Sequence, residues 1–111
     1  MDSKLLEDKK ELCQQLQDLT QKYLADLDPV GNSLDRIKAA PSLTNIQKEL
    51  VETVLLEYQD HMHNLKQLSE ELANINALKN MEVNLLLEIG YTVLSQATSF
   101  SKEVPQRLKD I

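Results

Sequence analysis

The side chains of this sequence that could perform chemistry are few, and most lie in one short segment. His61 and His63 flank Met62 and follow Glu57 and Asp60, a composition that suggests a metal site. On a helix, residues two apart point about 200° away from each other, so the two imidazoles cannot bind one ion together. We therefore predict no metal ligands here and interpret His61 as a packing residue.

The sequence does not support a nucleophilic site either. Cys13 is the only cysteine, and its neighbours Gln14, Gln15 and Gln17 cannot act as a base toward the thiol. No Glu-x-x-His pair, glycine-rich phosphate loop or nucleophile elbow occurs. The sequence thus predicts a protein that is not an enzyme, with no catalytic residues, no cofactor, no metal and no small-molecule substrate.

The composition limits the class of partner. The 111 residues include 18 acidic and 12 basic side chains, for a net charge of −6, and they fit one domain over 1–111. An acidic chain is a poor ligand for duplex nucleic acid or an anionic membrane surface. No apolar run is long enough to insert into a bilayer, and the N-terminus does not look like a signal peptide. With a single cysteine, we expect a reducing compartment, cytoplasmic or nuclear.

The first periodic segment predicts a helix over about 3–28. Its apolar residues recur every three or four positions, which is one stripe of an α-helix. This stripe consists of Leu12, Leu16, Leu19, Tyr23, Leu27 and Val30. The pairs Asp28-Pro29 and Gly31-Asn32 are typical helix stop signals. We expect a connector over 29–42 with a short helical turn, closed by Pro41.

The second segment predicts a helix over about 43–77, and Thr44 with Gln47 fits a capping box at its start. Its apolar residues alternate steps of three and four without an error, as a coiled-coil seam requires. The seam residues are Val51, Val54, Tyr58, His61, Leu65, Leu68, Leu72 and Ile75.

The seam then fails at Lys79 and Glu82, inside an asparagine-rich stretch, and a third helix is predicted over about 80–104. Two interpretations remain open. The chain can turn near Asn76–Asn80, giving three helices packed up-down-up. Alternatively, one long helix continues through 76–82, with Lys79 and Glu82 forming a polar layer that fixes the register.

Several large apolar residues lie off these stripes and would form an exposed patch that is unusual for a monomer. We expect them to bind a helix of a partner chain. The predicted partner-binding residues are Leu55, Met62, Leu85, Leu87, Tyr91 and Leu94.

Together these patterns predict an all-α, elongated helical bundle or coiled coil that is oligomeric. Its helical texture resembles small coiled-coil subunits of kinetochore, dynactin-type and lysosome-biogenesis assemblies. We expect a non-catalytic protein-protein interaction module, a scaffold or adaptor subunit that binds helical partners or itself. The alternative is a regulatory oligomerisation module, switched by phosphorylation of the cluster Ser95, Thr98, Ser99 and Ser101 or by protonation of His61.

Overall fold

The described residues form three long α-helices that lie side by side. The structure is a computed structural model that describes residues 2–75 and 78–109. Helix α1 spans Asp2–Lys38, α2 spans Asn45–Ala73 and α3 spans Asn80–Arg107. The molecule measures 63 × 17 × 16 Å along its principal axes. The predicted all-α, elongated helical bundle is therefore confirmed.

Helices α1 and α2 are antiparallel. Near the middle of α1, Gln21 Nε2 donates a hydrogen bond of 2.6 Å to Ser69 Oγ. Further along α1, Gly31 contacts Tyr58, which comes earlier than Ser69 in α2. The two helices thus run in opposite directions while staying in contact.

Helix α3 is antiparallel to α2 and parallel to α1. The ring centroids of His61 and Phe100 are 4.7 Å apart. Leu68, later in α2, lies beside Gly90, earlier in α3, and Leu16 of α1 lies against the same glycine. The order is up-down-up, so the alternative of one continuous helix through 76–82 is wrong.

The chain reverses between α2 and α3 within a short segment. Helix α2 ends at Ala73 rather than 77, where the N–H of Asn74 donates to the carbonyl oxygens of Glu71 and Leu72. The first two residues of the predicted turn, 76 and 77, lie outside the described residues. Helix α3 begins near the predicted position.

The polar layer expected from one continuous helix does not form. Lys79 precedes α3, Glu82 lies in its first turn, and both side chains are exposed. Helix α3 also continues to Arg107 instead of ending at 104. Pro105 lies close to that end, where a missing N–H removes a single hydrogen bond of the last turns.

Helix α1 does not end at residue 28. It continues through Pro29 and Gly31 to Lys38, so the predicted connector over 29–42 is wrong over most of its length. A proline inside a helix costs about 3 kcal/mol. Leu27 and Leu34, on either side of it, are both fully buried. Each such leucine contributes about 1.5 to 3 kcal/mol, which offsets the cost of the proline.

The true connector is the short segment between Lys38 and Asn45, and the capping box predicted at its end is confirmed. Thr44 Oγ1 accepts a hydrogen bond of 3.2 Å from the backbone N–H of Gln47. The Gln47 side chain accepts one of 2.9 Å from the backbone N–H of Thr44. Two amides that the helix start leaves unpaired are thereby satisfied.

The predicted stripe of α1 faces the core at Leu16 and Leu27 but not at Leu12 and Leu19. Leu12 and Leu19 are 41 % and 44 % exposed, whereas Cys13 and Thr20, one position later, are buried. Thr20 tolerates burial because its hydroxyl donates a hydrogen bond of 2.7 Å to the Leu16 carbonyl oxygen. The buried face of α1 thus combines the small residues Cys13 and Thr20 with large leucines such as Leu16.

Candidate protein-binding surface

The eight residues predicted to form the seam face the interior of this single chain. Six of them are buried, namely Val51, Val54, Leu65, Leu68, Leu72 and Ile75. The other two, Tyr58 and His61, are half-buried. The stripe on α2 is therefore covered by α1 and α3, without a second copy of the chain.

The residues considered for chemistry do not converge. His61 packs its ring against Phe100 at an interplanar angle of 38°, whereas His63 is exposed. Within residues 2–75 and 78–109, no three His, Cys, Asp or Glu side chains are grouped so that they could hold a metal ion. Cys13 is buried, and burial raises the pKa of its thiol, which keeps it in the unreactive protonated form.

The positions proposed for switching lie in one region of the bundle, on α3 around Phe100 and on α2 at His61. Ser95, Ser99 and Ser101 are exposed, and Thr98 donates a hydrogen bond of 2.8 Å to the Leu94 carbonyl oxygen. His61 lies at the boundary between α2 and α3. Regulation of assembly by phosphorylation or by protonation of His61 stays a prediction.

The six predicted partner-binding residues fall into three groups. Leu85 and Tyr91 are each 57 % exposed and are available to a partner. Leu55, Met62 and Leu87 are partly buried against the core. These side chains lie on different helices and form no single patch.

The sixth residue, Leu94, was predicted to be exposed to a partner, and the structure corrects this. It is only 7 % exposed and belongs to the core. On the same inward face of α3 lie Gly90 and Ala97, and Gly90 is close enough to α1 for an added Cβ to lie 3.1 Å from Leu16 Cδ1. Because these small residues let α3 approach its neighbours closely, the adjacent leucine becomes covered.

The structure forms an apolar groove between α2 and α3 that the sequence analysis did not identify. We call it the α2/α3 groove, and it has a volume of about 390 Å³. It is lined by Leu78, Leu85, Leu86 and Ile89, with Glu71, Asn74 and Glu82 at its edges. A second depression of about 210 Å³ extends it to Val93 and shares Glu71 and Ile89 with it.

Ile89 is a large apolar residue of α3, yet 43 % of its surface is exposed. Its spacing from Leu85 places both side chains on one face of the helix, one turn apart. Met81, one turn before Leu85, is 81 % exposed. This spacing of four residues was the signal in the sequence that could have located the exposed face.

One ion pair joins α2 and α3 at the end of the bundle away from this groove, between Arg107 and Glu57. Both side chains keep contact with water, so the pair contributes about 0 to 1 kcal/mol. It fastens the last turn of α3 to α2 and lies outside the groove.

None of the helices in the described part of the chain has the length and hydropathy that a bilayer-spanning segment needs. Comparison of the chain with protein-family models, with curated protein sequences and with solved structures gives no match. The fold and the α2/α3 groove are therefore the basis on which a function can be argued.

Proposed function

We propose that this protein is a non-catalytic helical interaction module, a scaffold or adaptor subunit of a multi-protein assembly of cytoskeletal, kinetochore or trafficking type. It acts by accepting a helix of a partner protein in the α2/α3 groove. The observation that carries the proposal is the exposure of Leu85 and Ile89, one turn apart, in the lining of an open apolar groove.

The dimensions of the groove suit a short helix. From Glu82 to Val93, α3 rises by about 17 Å, which equals about three helical turns of a partner lying alongside it. Amphipathic helices bind such grooves through apolar residues spaced three, four and seven apart. Covering the exposed halves of Leu85 and Ile89 would contribute about 1 kcal/mol per side chain.

The bundle leaves this face free because its own core is complete without it. The apolar residues Val83, Leu86 and Phe100 of α3 are buried among the three helices. Leu85 and Ile89 lie to one side of that face, and about half of each side chain stays exposed. Apolar side chains that the fold does not bury are typical of interaction surfaces.

The proposal is tested by quantitative affinity capture with three forms of the full chain. One is unchanged, one carries Leu85→Ser with Ile89→Ser, and the matched control carries Leu12→Ser with Leu19→Ser. The control pair is similarly exposed but lies on α1. We expect a set of proteins that the unchanged and control chains retain and that the groove variant loses.

Circular dichroism should show equal helix content for all three proteins and a similar decrease in thermal stability for the two variants, because each loses two half-exposed leucine or isoleucine side chains. A loss of binding by the groove variant alone then reflects the groove. If the groove variant retains the same proteins as the unchanged chain, the α2/α3 groove is not the interaction surface and the proposal fails.

A further inference from the structure

The charges around the α2/α3 groove have one sign. The α2/α3 groove and its extension to Val93 are lined by the acidic residues Glu71 and Glu82. A shallow depression on α3 alone, which shares Ile89 with the groove, adds Glu88, and among the described residues that line the three depressions none is basic. Lys79 lies near the start of α3 but is not part of the lining.

The depressions between α1 and α2 differ. One places Lys38 with Glu52, and another places Asp28 with Lys66 and His63. In each of these, acidic and basic side chains are mixed, so they offer no preference for a partner of either charge. The acidic edge is a property of the α2/α3 groove and not of all grooves of this acidic protein.

An acidic edge around an apolar floor favours a particular occupant. The apolar side chains of a partner helix would cover Leu85 and Ile89, while charges at the edge select and orient the partner. Lysine and arginine suit that edge because their alkyl stems cover apolar surface and their charged ends reach the carboxylates. A second copy of this chain, with a net charge of −6, would bring mostly like charge.

We infer that the partner of the α2/α3 groove is a cationic amphipathic helix, with an apolar stripe flanked by lysine or arginine. This inference rests on the proposed function, since it names the chemistry of the partner for the same groove. It excludes an acidic helix and a second copy of the chain as the principal occupant.

The probes are three synthetic peptides of about 14 residues, long enough to cover three to four helical turns. The first places leucine three, four and seven residues apart with lysine on the flanks. The second replaces every lysine with glutamate, and the third scrambles the first so that its apolar stripe is lost. Binding to the unchanged full chain is measured by fluorescence anisotropy.

We expect the stripe-forming lysine peptide to bind at least about tenfold more tightly than the scrambled peptide. The glutamate peptide should not bind measurably. If the glutamate peptide binds as well as the lysine peptide, or if neither binds, the inference is overturned. Concentration-dependent dimerisation through the same groove would likewise overturn it in favour of a second copy.

A matched pair of charge variants separates the groove from the overall charge of the protein. The groove variant carries Glu71→Gln, Glu82→Gln and Glu88→Gln. The control carries Glu11→Gln, Glu49→Gln and Glu52→Gln, three exposed glutamates outside the α2/α3 groove. Both remove three negative charges. Since exposed charge pairs are individually weak, we expect the groove variant to weaken lysine-peptide binding about tenfold and the control less than about twofold.

Equal weakening by both variants would mean that net charge alone attracts the peptide, and the inference fails. Its failure is distinguishable from failure of the proposed function. If affinity capture still depends on Leu85 and Ile89 while the lysine peptide shows no preference, the groove binds a partner of different charge. If affinity capture does not depend on Leu85 and Ile89 either, both the proposed function and the cationic partner are contradicted.

Discussion

The ring of Tyr58 in α2 occupies the space that a side chain at residue 31 of α1 would need. A Cβ built on Gly31 would lie 2.7 Å from Tyr58 Cε1 and closer still to the hydroxyl oxygen. Real Cβ atoms do not approach other heavy atoms so closely, so a larger residue at position 31 would force the Tyr58 ring to shift. Its backbone is helical and needs no unusual dihedral angles.

The contact between Gly31 and Tyr58 predicts opposite effects of one substitution in two backgrounds. In the unchanged protein, overpacking should cost about 1 to 3 kcal/mol for Gly31→Ala, against about 1 kcal/mol gained from helix propensity. We expect a net loss of about 1 kcal/mol. In a Tyr58→Ala background, the same substitution should stabilise the protein by about 1 kcal/mol.

Urea unfolding of the four proteins measures both values. An equal effect in the two backgrounds would show that the Tyr58 ring moves aside freely.

Tyr58 also predicts a loss of stability at alkaline pH. Burial raises the pKa of Tyr58, and the negative charges of Asp28 and Asp35 raise it further. The unfolded chain therefore ionises this phenol first, near pH 10. The stability that this difference in pKa gives the folded protein is therefore fully present below about pH 10. The free energy of unfolding decreases as the pH rises through the folded-state pKa of Tyr58.

The measurement is the free energy of unfolding between about pH 9 and 11 for the unchanged protein and for Tyr58→Phe. We expect the unchanged protein to lose stability more steeply over this range. The difference in absorbance at about 295 nm between the unchanged protein and Tyr58→Phe should also show that Tyr58 ionises at a higher pH in the folded than in the urea-unfolded chain. Parallel stability curves for the two proteins would contradict this account.

Cys13 should be protected from thiol reagents in the folded protein. Its side chain is buried, and burial raises the pKa of the thiol, so both access and thiolate formation are suppressed. We expect a disulfide reagent at pH 8 to react at least about 100-fold more slowly with the folded chain than with the urea-unfolded chain. Rapid labelling of the folded chain would show that the start of α1 opens readily.

The same substitution should affect stability very differently at Leu94 and at Leu85, although both residues lie on α3. Leu94→Asp places a carboxylate in the core, which costs several kcal/mol and should unfold the bundle. Leu85→Asp changes a side chain that is 57 % exposed, so we expect a loss of only about 1 to 2 kcal/mol. Thermal melts followed by circular dichroism compare the two. Equal melting temperatures would contradict the placement of Leu94 in the core.

Much of α2 could be predicted from the sequence because its signals are local and agree with one another. Thr44 and Gln47 satisfy the amides of the helix start through residues three positions apart, which needs no tertiary contact. The apolar residues from Val51 to Ile75 follow a single stripe, and a stripe fixes which face of a helix must be covered. The apolar stripes in all three segments likewise predicted an all-α bundle. The sequence also has few turn-forming residues, which disfavours a β fold with many turns.

The end of α1 and the exposed face of α3 were decided only by the tertiary structure. The proline at residue 29 is a local stop signal, but the burial of Leu27 and Leu34 against other helices outweighs it. Likewise, the leucine-rich circumference of α3 does not reveal which residues stay exposed. That depends on how closely Gly90 lets α3 approach Leu16 and Leu68. The sequence alone therefore determined the helices, whereas contacts distant in sequence determined the extent of α1 and the groove beside Ile89.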